Sequence, residues 1–130
     1  ICRAADRVVA VSEADRDALQ RLLPGLNVTV IPNGVDLDFY HPGAVPPKPG
    51  LGPHALVFTG KMDFRPNVDA ALWFADDVLP HLKQAGIEAH FWVVGRNPHT
   101  RLGALSGRND VTITGEVPGV RPYIVQSDVY

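Results

Sequence analysis

The 130-residue chain has almost no cysteine. Cys2 stands alone, which excludes an intrachain disulfide and a cysteine-built metal site. Long apolar runs are missing as well: nothing approaches the roughly 20 residues of a helical membrane span, and no signal peptide is evident. An excess of one charge is also absent. The formal net charge of −2 provides no global attraction to nucleic acid or to an anionic bilayer, so any anion site must be local. Neither G-x-G-x-x-G nor a Walker A sequence occurs, which argues against an ordinary dinucleotide-dependent dehydrogenase or a P-loop ATPase. His41, His54, His81, His90 and His99 lack metal-ligand spacing and read as surface or capping residues. No Ser-His-Asp arrangement is supported by the spacing, and neither a metal nor a cofactor is expected.

What is present is 45% hydrophobic and 20% charged residues, ordinary for a globular α/β unit with one core. Residues 7–11 (RVVAV) are a β-branched run, Ser12 and Asp15 have the spacing of a capping box, and Ala14, Ala18, Leu19 and Leu22 recur at helical spacing until Pro24-Gly25. Residues 27–31 (NVTVI) read as the next strand, so this segment is β-α-β. From Pro32 to Pro53, six prolines and four glycines break any regular element and mark a connector.

Periodic structure then returns. A strand at 55–59 (ALVFT) precedes a loop at 60–65, and a helix begins near Pro66 with Val68, Ala71, Leu72, Ala75, Leu79 and Leu82 on one face. Pro80 is expected to kink or shorten it, and Gly86 to end it. A strand at 89–94, a weak helix near 101–105, a strand at 111–114, a short helix at 121–125 and a strand beginning at Asp128 follow. Trp73, Phe74, Phe91 and Trp92 fall in apolar runs and are expected in the core. The alternation implies a parallel, Rossmann-like sheet flanked by helices, with ligands beyond the carboxyl ends of its strands.

Each of the three sheet strands in this second region is followed by a glycine: Gly60, Gly95 and Gly115. Lys61 and Arg65 lie between the first of these and the longest helix. Two cations beside a positive helix end suit a diphosphate, although two solvated surface cations satisfy the same spacing.

The strings VVAVSEADRDAL, VTVIPNGVDLDFYHP and ALVFTGKMDFRPNVDAALWF, with VVGRNP and VTITGEVPGVRPYI, closely resemble group 1 glycosyltransferases, the large retaining family with the GT-B fold. The resemblance is strongest to the exopolysaccharide branch that includes exosortase-associated sugar transferases. It implies a partial GT-B fold, with residues 1–43 as the end of the N-terminal domain and the interdomain crossing, 44–53 as a linker, and 54–130 as the first half of the donor-binding domain. It implies transfer of a sugar, with retention, from a nucleotide diphosphate sugar to a glycan or lipid-linked acceptor. Gly60, Lys61 and Arg65 would bind the donor diphosphate, and Gly95, Arg96, Gly115, Val117 and Pro118 would border the nucleotide. Asn33, Gly34 and Asp36 fall in the crossing, where a simple turn role is equally open. Gly119 replaces an Asp frequent in relatives. No catalytic residue is assigned, because the paired-glutamate motif is expected beyond Tyr130, and the segment is expected to be catalytically incomplete alone.

Other classes remain open at this level: a GT-B nucleotide-sugar epimerase, or a non-catalytic flavodoxin-like α/β binding domain. The single cysteine suits a reducing cytoplasm, with the parent enzyme peripheral at the inner membrane face. No nucleic-acid partner is expected, and an exposed sheet edge at 127–130 can pair with a second copy.

Overall fold

The computed structural model describes residues 4–41 and 43–130; Cys2 lies outside the described residues. Its contacts divide the chain into two units, Ile1–Phe39 and Tyr40–Tyr130.

In the first unit, strand β1 (Val8–Ala10), helix α1 (Glu13–Leu22) and strand β2 (Val28–Val30) follow the β-α-β order, with β1 and β2 paired in parallel. Ser12 Oγ accepts the Asp15 N–H at 3.1 Å and caps α1. The second arm departs from a capping box. The Asp15 carboxylate accepts the Ser12 hydroxyl at 2.6 Å, so the carboxylate braces the cap itself. Gly25, with φ of +84°, turns the chain out of the helix at a conformation that other residues resist. After β2, Asp36 Oδ1 accepts the N–H groups of Asp38 at 3.1 Å and Phe39 at 2.9 Å, a local turn held by its own side chain. Among the described residues, no helix or strand lies between β2 and the next strand.

The second unit is built on three strands, β3 (Ala55–Thr59), β4 (His90–Val94) and β5 (Val111–Gly115), parallel and neighbouring in that order. The pairing runs from Ala55↔His90 to Thr59↔Val94, so the strands end level with one another. Between β4 and β5 the register shifts at Val93/Val94: Val93 opposes Ile113 and Val94 opposes Gly115. Thr114 is the extra residue of a bulge, and Gly115 leaves it at φ of +69°. Helix α2 (Arg65–Trp73), a π-helical turn (Phe74–Val78), helix α3 (Leu79–Gln84) and a 3₁₀ helix (Thr100–Leu105) supply one layer. Val68, Ala71, Ala75, Leu79, Leu102 and Leu105 bury that layer against Leu56, Phe91, Val93 and Val111. Helix α4 (Arg121–Gln126) covers the opposite face, where Tyr123 packs with Ala55, Val57 and Val94. Parallel strands flanked by helices on both faces make this an α/β, Rossmann-like arrangement, consistent with the partial GT-B fold that the resemblance implies.

Two helical features differ from expectation. Pro80 is accommodated at the first turn of α3, because the preceding turn widens and the Leu79 N–H reaches Phe74 O. That widening frees Pro80 from the clash with the carbonyl four residues back that an unbroken α-helix would impose. Trp73 is not a core residue. It is 59% exposed, since it falls between the phases of Ala71 and Ala75 and points away from the face they bury. Phe91 is buried as expected, while Phe74 and Trp92 are half-buried.

After α4 the chain returns to the free edge of β3. Val129 pairs in parallel with Leu56, Val57 N–H donates to Val129 O at 2.9 Å, and Asp128 Oδ2 accepts the Ala55 N–H at 2.9 Å. The segment at 127–130 therefore continues the sheet on the side away from β4.

The loop after β3 is anchored in the core by the Met62 side chain. Met62 is fully buried within the α2-side core. Met62→Ala should lower stability by about 2–5 kcal/mol, read from urea denaturation, as for other buried long side chains. A loss below roughly 1 kcal/mol would show that the loop is held without it.

Candidate functional site

Strand order decides where this sheet can bind. From β3 the chain moves outward to β4 and β5 with its connections on one face, then crosses by α4 on the other face to the opposite edge of β3. β3 is thus the point at which the winding reverses, and a crevice opens beyond its carboxyl end. A depression of about 390 Å³ lies there, lined by Thr59, Gly60, Lys61, Gly95, Arg96, Glu116, Val117 and Val120. Residues from the ends of all three strands meet in it.

The approach is close because Gly95 carries no side chain towards the Gly60 carbonyl, while Gly60 carries none towards Asn67. A Cβ on Gly95 would lie 1.8 Å from the Gly60 carbonyl oxygen, and one on Gly60 would lie 2.6 Å from Asn67 Nδ2. Backbone bonds then join the two loops: Gly60 N–H to Val94 O at 3.1 Å, Met62 N–H to Arg96 O at 2.9 Å, and His99 N–H to Met62 O at 2.9 Å. Asn97, at a φ of +55°, directs its Nδ2 to Asp63 Oδ2 at 3.3 Å. Asn tolerates that left-handed conformation better than most residues.

The charges sort into two groups. Lys61 Nζ lies 3.3 Å from Asp63 Oδ1, with the lysine side chain 54% exposed. Desolvation pushes the Asp63 carboxyl up, but hydrogen bonding from Asn97 and the neighbouring Lys61 outweigh it and hold it below the usual value. Arg65 lines a different depression of about 160 Å³ with Asp63, Val68, His99 and Arg101. There Asp69 accepts Arg101 at 2.6 Å and faces Arg65 at 3.5 Å, and the Arg101 hydrogen bond is the main cause of its lowered carboxyl pKa. The first turn of α2 carries no acidic residue and no side-chain cap, so its partial positive charge stays open to an anion.

Of the residues expected at a donor site, the structure brings Gly60, Lys61, Gly95, Arg96 and Val117 into one depression. Gly115 and Pro118 belong to the same turn as Val117 without lining it, and Arg65 stands on the Asp69 side. Thr59 and Val120 line the depression without having been singled out from sequence, and Glu116 lines it from within the 115–118 turn. A larger hollow of about 570 Å³ opens at the other end of the strands, among Leu51, Lys83, His90, Arg108 and Asp110. Strand amino ends and paired charges surround it: Arg108 is held by Asp110 at 2.8 Å and Asp76 at 3.1 Å. Size alone does not outweigh the strand ends that converge at the smaller depression.

The family described as "Glycosyl transferases group 1" matches residues 53–130, and "Glycosyltransferase Family 4" matches residues 1–39. No curated protein matches the chain. Among the described residues no helix is long and apolar enough to cross a membrane.

The glycine contact is open to a direct check. Gly95→Ala places a methyl against backbone, which cannot rotate away, and should cost about 1–3 kcal/mol or push the residue 60–65 loop outward. An unchanged urea midpoint together with unchanged amide shifts at Gly60 would contradict the close approach.

Proposed function

We propose that this chain, which belongs to the group 1 glycosyl transferases, holds the diphosphate of a sugar nucleotide at the carboxyl ends of β3, β4 and β5 and so serves glycosyl transfer from that donor. The observation that carries the reading is the depression at the reversal of the winding, where Lys61, Arg96 and three strand ends converge. In this reading Lys61 and Arg96 stabilise negative charge developing on the leaving diphosphate, an electrostatic role without proton transfer. Arg65 assists from the neighbouring depression. Gly95, Gly115, Val117 and Pro118 present backbone to the nucleotide, where the absence of bulky side chains favours close approach.

The finer features rest on the resemblance of the strings around PNGVD and FTGKMDFRPN. They are retention of configuration, a glycan or lipid-linked acceptor, a role in exopolysaccharide synthesis, and a cytoplasmic enzyme peripheral at the inner membrane face. In the same reading residues 1–43 are the end of an acceptor-side domain and the crossing, 44–53 the linker, and 54–130 the first half of the donor-binding domain. Matches to two family descriptions on either side of the connector favour that division. The outer edge at Val129 and Tyr130, 59% and 67% exposed, is where a second copy would add to the sheet.

Exposed ion pairs contribute only about 0–1 kcal/mol each, so a nucleoside diphosphate should bind this chain with a Kd on the order of 1 mM at low salt. Calorimetric titration should show Lys61→Ala weakening binding about threefold to fivefold, with Arg65→Ala costing less because Arg65 lines the neighbouring depression. Binding that is unchanged by Lys61→Ala would move the diphosphate elsewhere.

A further inference from the structure

Lys61 is a long, exposed side chain, and its usefulness to an anion depends on how firmly its own peptide is held. The peptides around it are fixed on the β4 side: Gly60 N–H donates to Val94 O, and Met62 bonds Arg96 O and His99 N–H. The Lys61 carbonyl points the other way, towards α2. It accepts two hydrogen bonds, from Asn67 Nδ2 at 3.1 Å and from the Phe64 N–H at 3.2 Å. The second closes a tight turn from the residue before the helix, so the Asn67 carboxamide is the tie between this peptide and the helix itself. Asn67 also fits against Gly60, where any Cβ would meet its Nδ2 at 2.6 Å.

We propose that Asn67 is a positioning residue for the diphosphate contact: its carboxamide donates to the Lys61 carbonyl and fixes the peptide from which the lysine side chain departs. This rests on reading the residue 60–65 turn as the diphosphate site. Asn67 need not touch the ligand. It acts through Lys61, by lowering the number of conformations that the loop must lose when an anion binds. A purely structural role, closing the first turn of α2, is the competing explanation, and the two differ in what an aspartate would do. The Asn67→Asp substitution would keep the side-chain shape and, near a helix amino end, favour the helix, while losing the donor to the Lys61 carbonyl.

The test compares wild type, Asn67→Ala and Asn67→Asp by amide hydrogen exchange without ligand, by thermal melting, and by titration of a nucleoside diphosphate. Both substitutions should speed exchange at Met62 and Phe64 about threefold to tenfold, the equivalent of one ordinary hydrogen bond. Asn67→Ala should weaken nucleoside diphosphate binding by a similar factor, and the Asp variant should melt no lower than wild type. Wild-type protection at Met62 and Phe64 in the Asp variant would overturn the proposal, as would unchanged affinity in Asn67→Ala. If wild type binds no nucleoside diphosphate, the donor-site reading falls, and with it the positioning of that contact; exchange then reports separately whether Asn67 holds the loop.

Discussion

Two backbones that nearly touch, Gly60 against Gly95, set the geometry of everything at the binding end of this protein. With only hydrogen on the Gly95 Cα, the loops leaving β3 and β4 come close enough for Met62 to bond the second loop through both its N–H and its carbonyl. Met62 then drops its side chain into the core, so the loop is tied to the hydrophobic layer as well as to its neighbour. A loop between a strand and a helix is normally among the less restrained parts of a fold. Here it is fastened at Gly60, Met62 and the Lys61 carbonyl, and the lysine side chain is displayed from a fixed base.

Electrostatics at this edge are local and balanced. Lys61 has Asp63, and Arg65 and Arg101 share Asp69. At Lys61 and Arg65 an incoming diphosphate has to compete with carboxylates already in place. This local balance also explains why a chain with a formal net charge of −2 can offer an anion site without being basic overall. The same pairing limits affinity, since each exchange of a carboxylate for a phosphate gains little in water-exposed surroundings.

Much of this fold was legible in the sequence, for reasons that differ by element. ALVFT, HFWVV and VTIT are compact β-branched and aromatic runs, each with a glycine close behind, and they became β3, β4 and β5. Ser12 and Gly25 bounded α1 through capping and a positive φ, both local effects. Helix phase misled where composition was read in place of angle: Trp73 sits among apolar residues but on the wrong side of α2. The π-helical turn before Pro80 was unreadable because its cause is a backbone clash that can be relieved in several ways. At the candidate site, the strand-end glycines were visible as a pattern, whereas Asn67 and Asn97 were not. Their roles arise from contacts made only once α2 and the β4 loop are in place. Arg65 was grouped with Lys61 by proximity in sequence, and the structure sets it beside Asp69.

The proposed seat of the donor diphosphate is the carboxyl-terminal edge of the β3–β4–β5 sheet. Amide chemical shifts recorded while a nucleoside diphosphate is added test it residue by residue. The largest changes are expected at Gly60, Lys61, Gly95, Arg96, Glu116 and Val117, which share one depression. Changes concentrated instead at Lys83, His90, Arg108 and Asp110, around the larger hollow at the opposite end of the strands, would contradict that assignment.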